Sequence, residues 1–124
     1  MARARISSAP FKLVSSAWER DYIDLLQKHR LNTETPIDET LRALNDLVAA
    51  GKVRYIGSLN FSGWQIAVAD WTARSSHRTQ FVSAQNRYNL LERNTEHEVL
   101  PACERFGLGM LPLFPLSSGL LTGK

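Results

Sequence analysis

The stretch TPIDETLRALNDLVAAGKVRYIGSLNF, residues 35–61, decides the fold. Its first half has a helical period: Ile37, Leu41, Leu44, Leu47 and Val48 recur at helical spacing along one face. Thr35 suits the N-cap, Pro36 the first helical position, and Asp38 and Glu39 the positive end of the helix dipole. Gly51 is a natural stop, because a residue without Cβ enters the left-handed region at little cost. Then VRYIGSLN (53–60) reads as a strand. A helix that ends and a strand that starts within a few residues make one step of an alternating unit.

The alternation continues on both sides. DYIDLLQKH (21–29) is a strand, and its residues Tyr22, Asp24, Leu26 and Lys28 share the face opposite His29. Ser62 caps a helix running through Trp64, Ile66, Ala67, Val68 and Trp71, in which the two tryptophans share a face and are expected in the core. QFVSAQN (80–86) is the next strand. NTEHEVLPACERFG (94–107) is a helix closed by Gly107, and Pro101 predicts a kink or a late start. LGMLPLFPL (108–116) is a last strand that Pro112 and Pro115 end early. Residues 1–20 do not fit the alternation and are expected to be an irregular or disordered head before a domain over 21–124.

Four strands joined by three helical crossovers pair in parallel, giving an α/β fold. Periodicity does not choose between an open sheet and part of a closed barrel. In both, functional groups collect at the carboxyl ends of the strands. Those ends carry His29, Asn60, Gln85 and the pair Leu113-Phe114, so polar groups stand on one rim.

Composition narrows the partners. The formal charge is +3, but residues 1–20 hold Arg3, Arg5, Lys12 and Arg20 against Glu19 alone, and the remainder is balanced. No basic stripe marks a nucleic-acid face. No apolar run approaches the length of a membrane span or a secretory signal. The single cysteine, Cys103, excludes an internal disulfide and fits a reducing cytoplasm; a buried structural thiol is expected. No metal-ligand spacing appears, and His77 and His97 read as solvated.

DYIDLLQKHR (21–30), residues 35–61, FVSAQNRYNLLER (81–93) and LPLFPLSSGLLTGK (111–124) together resemble, in order and spacing, the aldo-keto reductases. The resemblance implies a partial (β/α)8 TIM barrel, strands four to seven of eight, with about four parallel strands and three intervening helices. It implies NADP(H)-dependent reduction of an aldehyde or ketone, with a small carbonyl compound as substrate. His29 falls on the catalytic histidine. Asn60 and Gln85 fall on the ligands of the nicotinamide carboxamide. Leu113 takes the place of a stacking aromatic, Phe114 stands beside it among the cofactor contacts, and Ser117–Lys124 begins the segment around the cofactor phosphates. Leu59 stands where the family has a serine, and Ser58 would point to the opposite face. The family's catalytic aspartate, tyrosine and lysine lie before strand four.

The chain has 124 residues, about half of the ~250 typical of such a barrel. A truncated or frameshifted product with impaired turnover is therefore expected. Open edges would favour self-association, and inward residues such as Ile23 and Leu25 would lack partners across the barrel. The alternative expectation is a non-catalytic interaction module or an inactive truncated product.

Overall fold

The computed structural model describes residues 21–31 and 33–123. The expected head (1–20) and Lys124 lie outside them. The elements are β1 (Ile23–His29), α1 (Ile37–Ala49), β2 (Val53–Leu59), α2 (Gly63–Ser75), β3 (Phe81–Arg87), α3 (Val99–Phe106) and β4 (Gly109–Leu113). Short 3-10 turns at Asn94–Glu96 and Ser117–Thr122 precede α3 and follow β4.

The helix boundaries follow from backbone chemistry. α1 begins one residue later than Thr35 as cap would require: Pro36 is the N-cap, and its carbonyl accepts from Glu39 N at 3.1 Å and Thr40 N at 3.3 Å. Proline's φ is fixed near −65°, and here −57° with ψ 141° aims that carbonyl into the first turn. The far end closes as a Schellman motif. Gly51, at φ +74°, donates to Val48 O, and Lys52 N donates to Leu47 O, each at 3.0 Å. Pro101 acts through a late start: the first turn near Asn94 is 3-10, and α3 begins only at Val99.

The sheet is parallel throughout, in the order β1-β2-β3-β4. A doubly wound sheet reverses its strand order at a switch point, whereas a barrel adds strands consecutively. The consecutive order is therefore that of half a (β/α)8 barrel. The main core forms between the sheet and the helices, from Leu41, Leu44, Ile56, Phe61, Ile66, Ala69, Ala73, Phe81 and Ala84. Phe61 and Phe81 meet edge to face, with centroids 5.6 Å apart.

Two expectations about burial are corrected. Trp64 and Trp71 do share a face of α2, but they are 60% and 74% exposed. The stripe that packs inward is Gly63, Ile66, Ala69, Asp70 and Ala73. Its small side chains let the backbone approach its neighbours, which two indoles would prevent. Asp70 is tolerated there because Arg74 Nε reaches its carboxylate at 2.6 Å. Ile23 is not left without partners either: it packs against the core, while Leu25, Tyr55 and Leu111 are exposed.

α2 also needs Gly63 for close approach. A Cβ there would lie 2.7 Å from the Glu98 carbonyl oxygen and 2.9 Å from its carbon. Glu98 Oε1 meanwhile accepts from Trp64 N at 2.6 Å, fastening the start of α2 to the start of α3. Gly63→Ala is therefore expected to destabilise the chain by roughly 1–3 kcal/mol through overpacking, read as a lowered urea midpoint. An unchanged midpoint would show that the α2–α3 contact yields freely.

Candidate active site

Strand alternation decides which side chains can meet. On β2, Ile56 and Ser58 face the helices and are fully buried. Gly57 and Leu59 therefore take the other face. The register extends this across the sheet: His29 pairs with Leu59, Leu59 with Gln85, and Gln85 with Leu111. His29, Leu59 and Gln85 thus stand in one lateral row, on the face away from the helices, at the carboxyl ends of their strands. Ser58 is on the opposite face, as expected, with its Oγ 3.5 Å from Ser83 O.

Backbone bonds carry this row into the loops. Arg30 N donates to Leu59 O at 2.9 Å, Asn60 N to Gln85 O at 2.9 Å and Tyr88 N to Leu113 O at 3.2 Å. Each loop is thus tied to the end of the next strand. Arg30, Asn60 and Phe114 follow β1, β2 and β4 directly, and all take positive φ: 46°, 59° and 53°. Asparagine tolerates the left-handed region better than most residues. Here it turns the chain immediately after the strand, with its backbone N–H on the Gln85 carbonyl.

Not every candidate comes together. His29 is exposed on one marginal strand and Leu113 lies on the other, three strand spacings or roughly 14 Å away along the sheet. Leu113 pairs with Arg87, one step beyond the His29 row. Phe114 lies beyond β4, with the Arg87 guanidinium 5.1 Å from its ring centroid. The structure thus sets His29 and Gln85 in one row two strands apart, with the Asn60 backbone bonded to Gln85, while Leu113, Phe114 and Arg87 gather at the end of β3 and β4.

Below the row, Gly57 sits between Gln27 and Ser83, and a Cβ there would overlap Ser83 Oγ. Gln27 Nε2 and Ser83 Oγ are buried without a hydrogen-bond partner. A cavity of about 390 Å³ opens beside the row, between the start of α2 and the β3–α3 loop, lined in part by Asn60, Ser62, Asn86, Arg87 and Glu98. Asn86 Oδ1 is likewise buried and unpartnered. Among the described residues no cluster of three metal-ligating side chains occurs. Cys103 is buried in α3, and desolvation raises its thiol pKa, which suits an inert packing role. His77 and His97 are exposed.

Sequence reasoning passed over several residues that organise this region. Asn89 is buried, and its Oδ1 accepts from Leu91 N at 2.8 Å and Glu92 N at 2.9 Å. The signal was available, since an asparagine opening a loop commonly bonds backbone two residues on. Arg78 and Asn45 tie α1 to the segment just before β3. Arg78 Nη1 donates to Asp38 O at 3.0 Å and also meets the Asp38 carboxylate. Asn45 Oδ1 accepts from Thr79 N at 3.0 Å. Both pairs are distant in sequence, so nothing local announces them.

The β3–α3 loop has an electrostatic latch. Glu96 Oε1 accepts from Arg93 Nε at 2.7 Å and from Tyr88 Oη at 2.6 Å. The Arg93 bond, followed by that from Tyr88, holds the Glu96 carboxyl below its ordinary 4.5. The same carboxylate raises the Tyr88 phenol. The depressed carboxyl stabilises the loop fully above its unfolded pKa, and that contribution is lost as pH falls through the lowered folded value. Protection of the loop amides, taken relative to their intrinsic exchange rates, is expected to fall below roughly pH 4 in the wild type, and Glu96→Gln should remove that acid-dependent loss. Equal acid sensitivity in both would place the titrating group elsewhere.

Comparison with known proteins adds what geometry cannot. The aldo/keto reductase family matches residues 12–124. An aldo-keto reductase of Fusarium vanettenii is 44% identical over 120 residues, covering 94% of this chain and 32% of that protein. The oxidoreductase YrpG of Bacillus subtilis is 44% identical over 106 residues, covering 86% and 32%. The versiconal hemiacetal acetate reductase of Aspergillus parasiticus is 42% identical over 100 residues, covering 81% and 29%. The chain spans about a third of the length of these relatives. With a family match over most of its length and consecutive parallel strands of half a (β/α)8 barrel, the chain belongs to the aldo/keto reductase family of oxidoreductases.

Proposed function

We propose that this chain carries the nicotinamide-facing part of a reductase that converts a small aldehyde or ketone to an alcohol with NADP(H). The observation that supports the reading most is the row His29–Leu59–Gln85, with Asn60 N bonded to Gln85 O at its rim. A carboxamide offers two donor hydrogens and an acceptor oxygen, and the side-chain amides of Asn60 and Gln85 can answer both. The donor set therefore fits the nicotinamide end of the cofactor. Leu59 adds no hydroxyl, and Leu113 gives an apolar surface where an aromatic ring would stack.

NADPH supplies the hydride when bound. The chain's own residues orient and polarise. Reduction builds negative charge on the carbonyl oxygen, and a donor already aimed there lowers the barrier without reorganising. We assign that role to His29, and its position at the end of β1 in the same row as Gln85 supports the assignment. Proton donation belongs in the family to a tyrosine before strand four, so turnover by this chain alone is expected to be negligible. Among the described residues no helix is long and apolar enough to cross a membrane; the proposed substrate is a small carbonyl compound and the proposed setting the cytoplasm.

A second reading is favoured by one observation. Leu25, Tyr55 and Leu111 are exposed on the sheet face away from the helices. That surface suits a non-catalytic module that self-associates or pairs with another chain. A discrete dimer in size-exclusion chromatography supports it, and a monomer over a wide concentration range opposes it.

The cofactor reading is tested by titrating the 15N-labelled chain with NADP+. Saturable shifts at Asn60 and Gln85 are expected, with a Kd on the order of 1 mM for so open a site. Gln85→Leu should weaken binding about fivefold to tenfold, the worth of a lost hydrogen bond, and His29→Ala should leave it unchanged. No saturable shift at these residues would sink the reading. NADPH oxidation with a panel of small aldehydes should stay at background, and clear turnover would mean that another group here donates the proton.

A further inference from the structure

The end of β3 and the loop that follows it read Gln85-Asn86-Arg87-Tyr88-Asn89, and two side-chain amides there, of Asn86 in the strand and Asn89 in the loop, reach sideways in opposite directions. Asn86 Nδ2 donates to the Phe61 carbonyl at 2.9 Å, one residue past Asn60. Asn89 Nδ2 donates to the Phe114 carbonyl at 3.2 Å, one residue past Leu113. Both receiving carbonyls lie just beyond a strand end, on or next to a non-glycine residue with positive φ: Asn60 at 59° and Phe114 at 53°. Such residues relax toward ordinary backbone unless their neighbours hold them. β3 is the inner strand between β2 and β4, so it alone can hold both loops at once.

We infer that Asn86 and Asn89 are positioning residues that set the two cofactor-side loops against β3, Asn86 acting through Phe61 on Asn60 and Asn89 through Phe114 on Leu113. The inference rests on the nicotinamide reading of Asn60 and Gln85 proposed above. The geometry separates this role from simple packing. Asn89 Oδ1 already holds its own loop through Leu91 and Glu92, so its Nδ2 is spare for a neighbour. Asn86 Oδ1 has no hydrogen-bond partner, so the Nδ2 bond to Phe61 is the side chain's one observed hydrogen bond among the described residues. An aspartate at either position keeps the shape and one acceptor oxygen, and at neutral pH replaces the donor that reaches the neighbouring loop with a charged acceptor.

The experiment titrates the full 15N-labelled chain and its N86D and N89D variants with NADP+, at pH 7.5 and at pH 5. At the higher pH each variant should stay folded, with a dispersed spectrum, and bind NADP+ at least fivefold more weakly than the wild type. A carboxyl held against a carbonyl oxygen favours its protonated form, which regains an O–H donor. Binding should therefore recover toward the wild-type value at pH 5, and general damage to the fold would not recover with acid. Wild-type affinity in both variants at pH 7.5 overturns the inference. So does weakened binding without acid recovery, or unfolding of both variants, which would make the amides merely structural. If N89D alone fails to fold, N86D decides, because its retained oxygen has no bond to lose. Absence of NADP+ shifts in the wild type overturns the functional reading instead, and is seen before any variant is titrated.

Discussion

Burial of Ile56 and Ser58 under the helices is the constraint from which the site follows. Successive side chains of a strand point to opposite faces. Once these two are committed to the helical layer, Leu59 has no choice but the other face. Parallel register then carries the choice sideways to His29 and Gln85. A shift of one residue would exchange the faces and place Ser58 where Leu59 stands. The apolar core is thus also what holds the polar row in place.

The loops beyond the row depend on a different force. Phe61 anchors the β2–α2 loop in the core, and directed hydrogen bonds hold the rest. Three backbone bonds lash each loop to the next strand, and the Asn86 and Asn89 amides reinforce them from β3. Around Tyr88, Arg93 and Glu96 the loop adds charge-assisted bonds. Such bonds are short-ranged and geometric, so they define positions more sharply than they add stability. A reductase needs this, since an error of about an ångström between reacting atoms is expensive. The helical layer has its own polar ties, from Arg78 to Asp38 and from Asn45 to Thr79, which join α1 to the segment before β3.

Much of this was legible in the chain. The alternation of periods gave seven elements in the right order, and Gly51 and Gly107 mark helix ends where they were read. The misses have physical causes. Thr35 and Pro36 were both good helix starters, and only backbone dihedrals show that the Pro36 carbonyl caps α1. α2 is apolar on two faces, so hydrophobicity alone pointed at the indoles, while the helix used its small residues to come close. Ile23 and Leu25 share a strand parity, yet Ile23 lies at the strand's start, where neighbouring core reaches it.

The sequence by itself determined the elements, their parallel pairing and the candidates His29, Asn60 and Gln85, because periodicity, turn residues and family-like blocks are local signals. Tertiary structure decided that the strands add consecutively, as in half a barrel, and that His29 and Gln85 fall in one lateral row, with Leu113 and Phe114 at the end of the marginal strand β4. It also chose the inward face of α2 and the asparagines that bind loop to loop. These depend on contacts between residues 25 or more positions apart, whose geometry exists only after the core has packed.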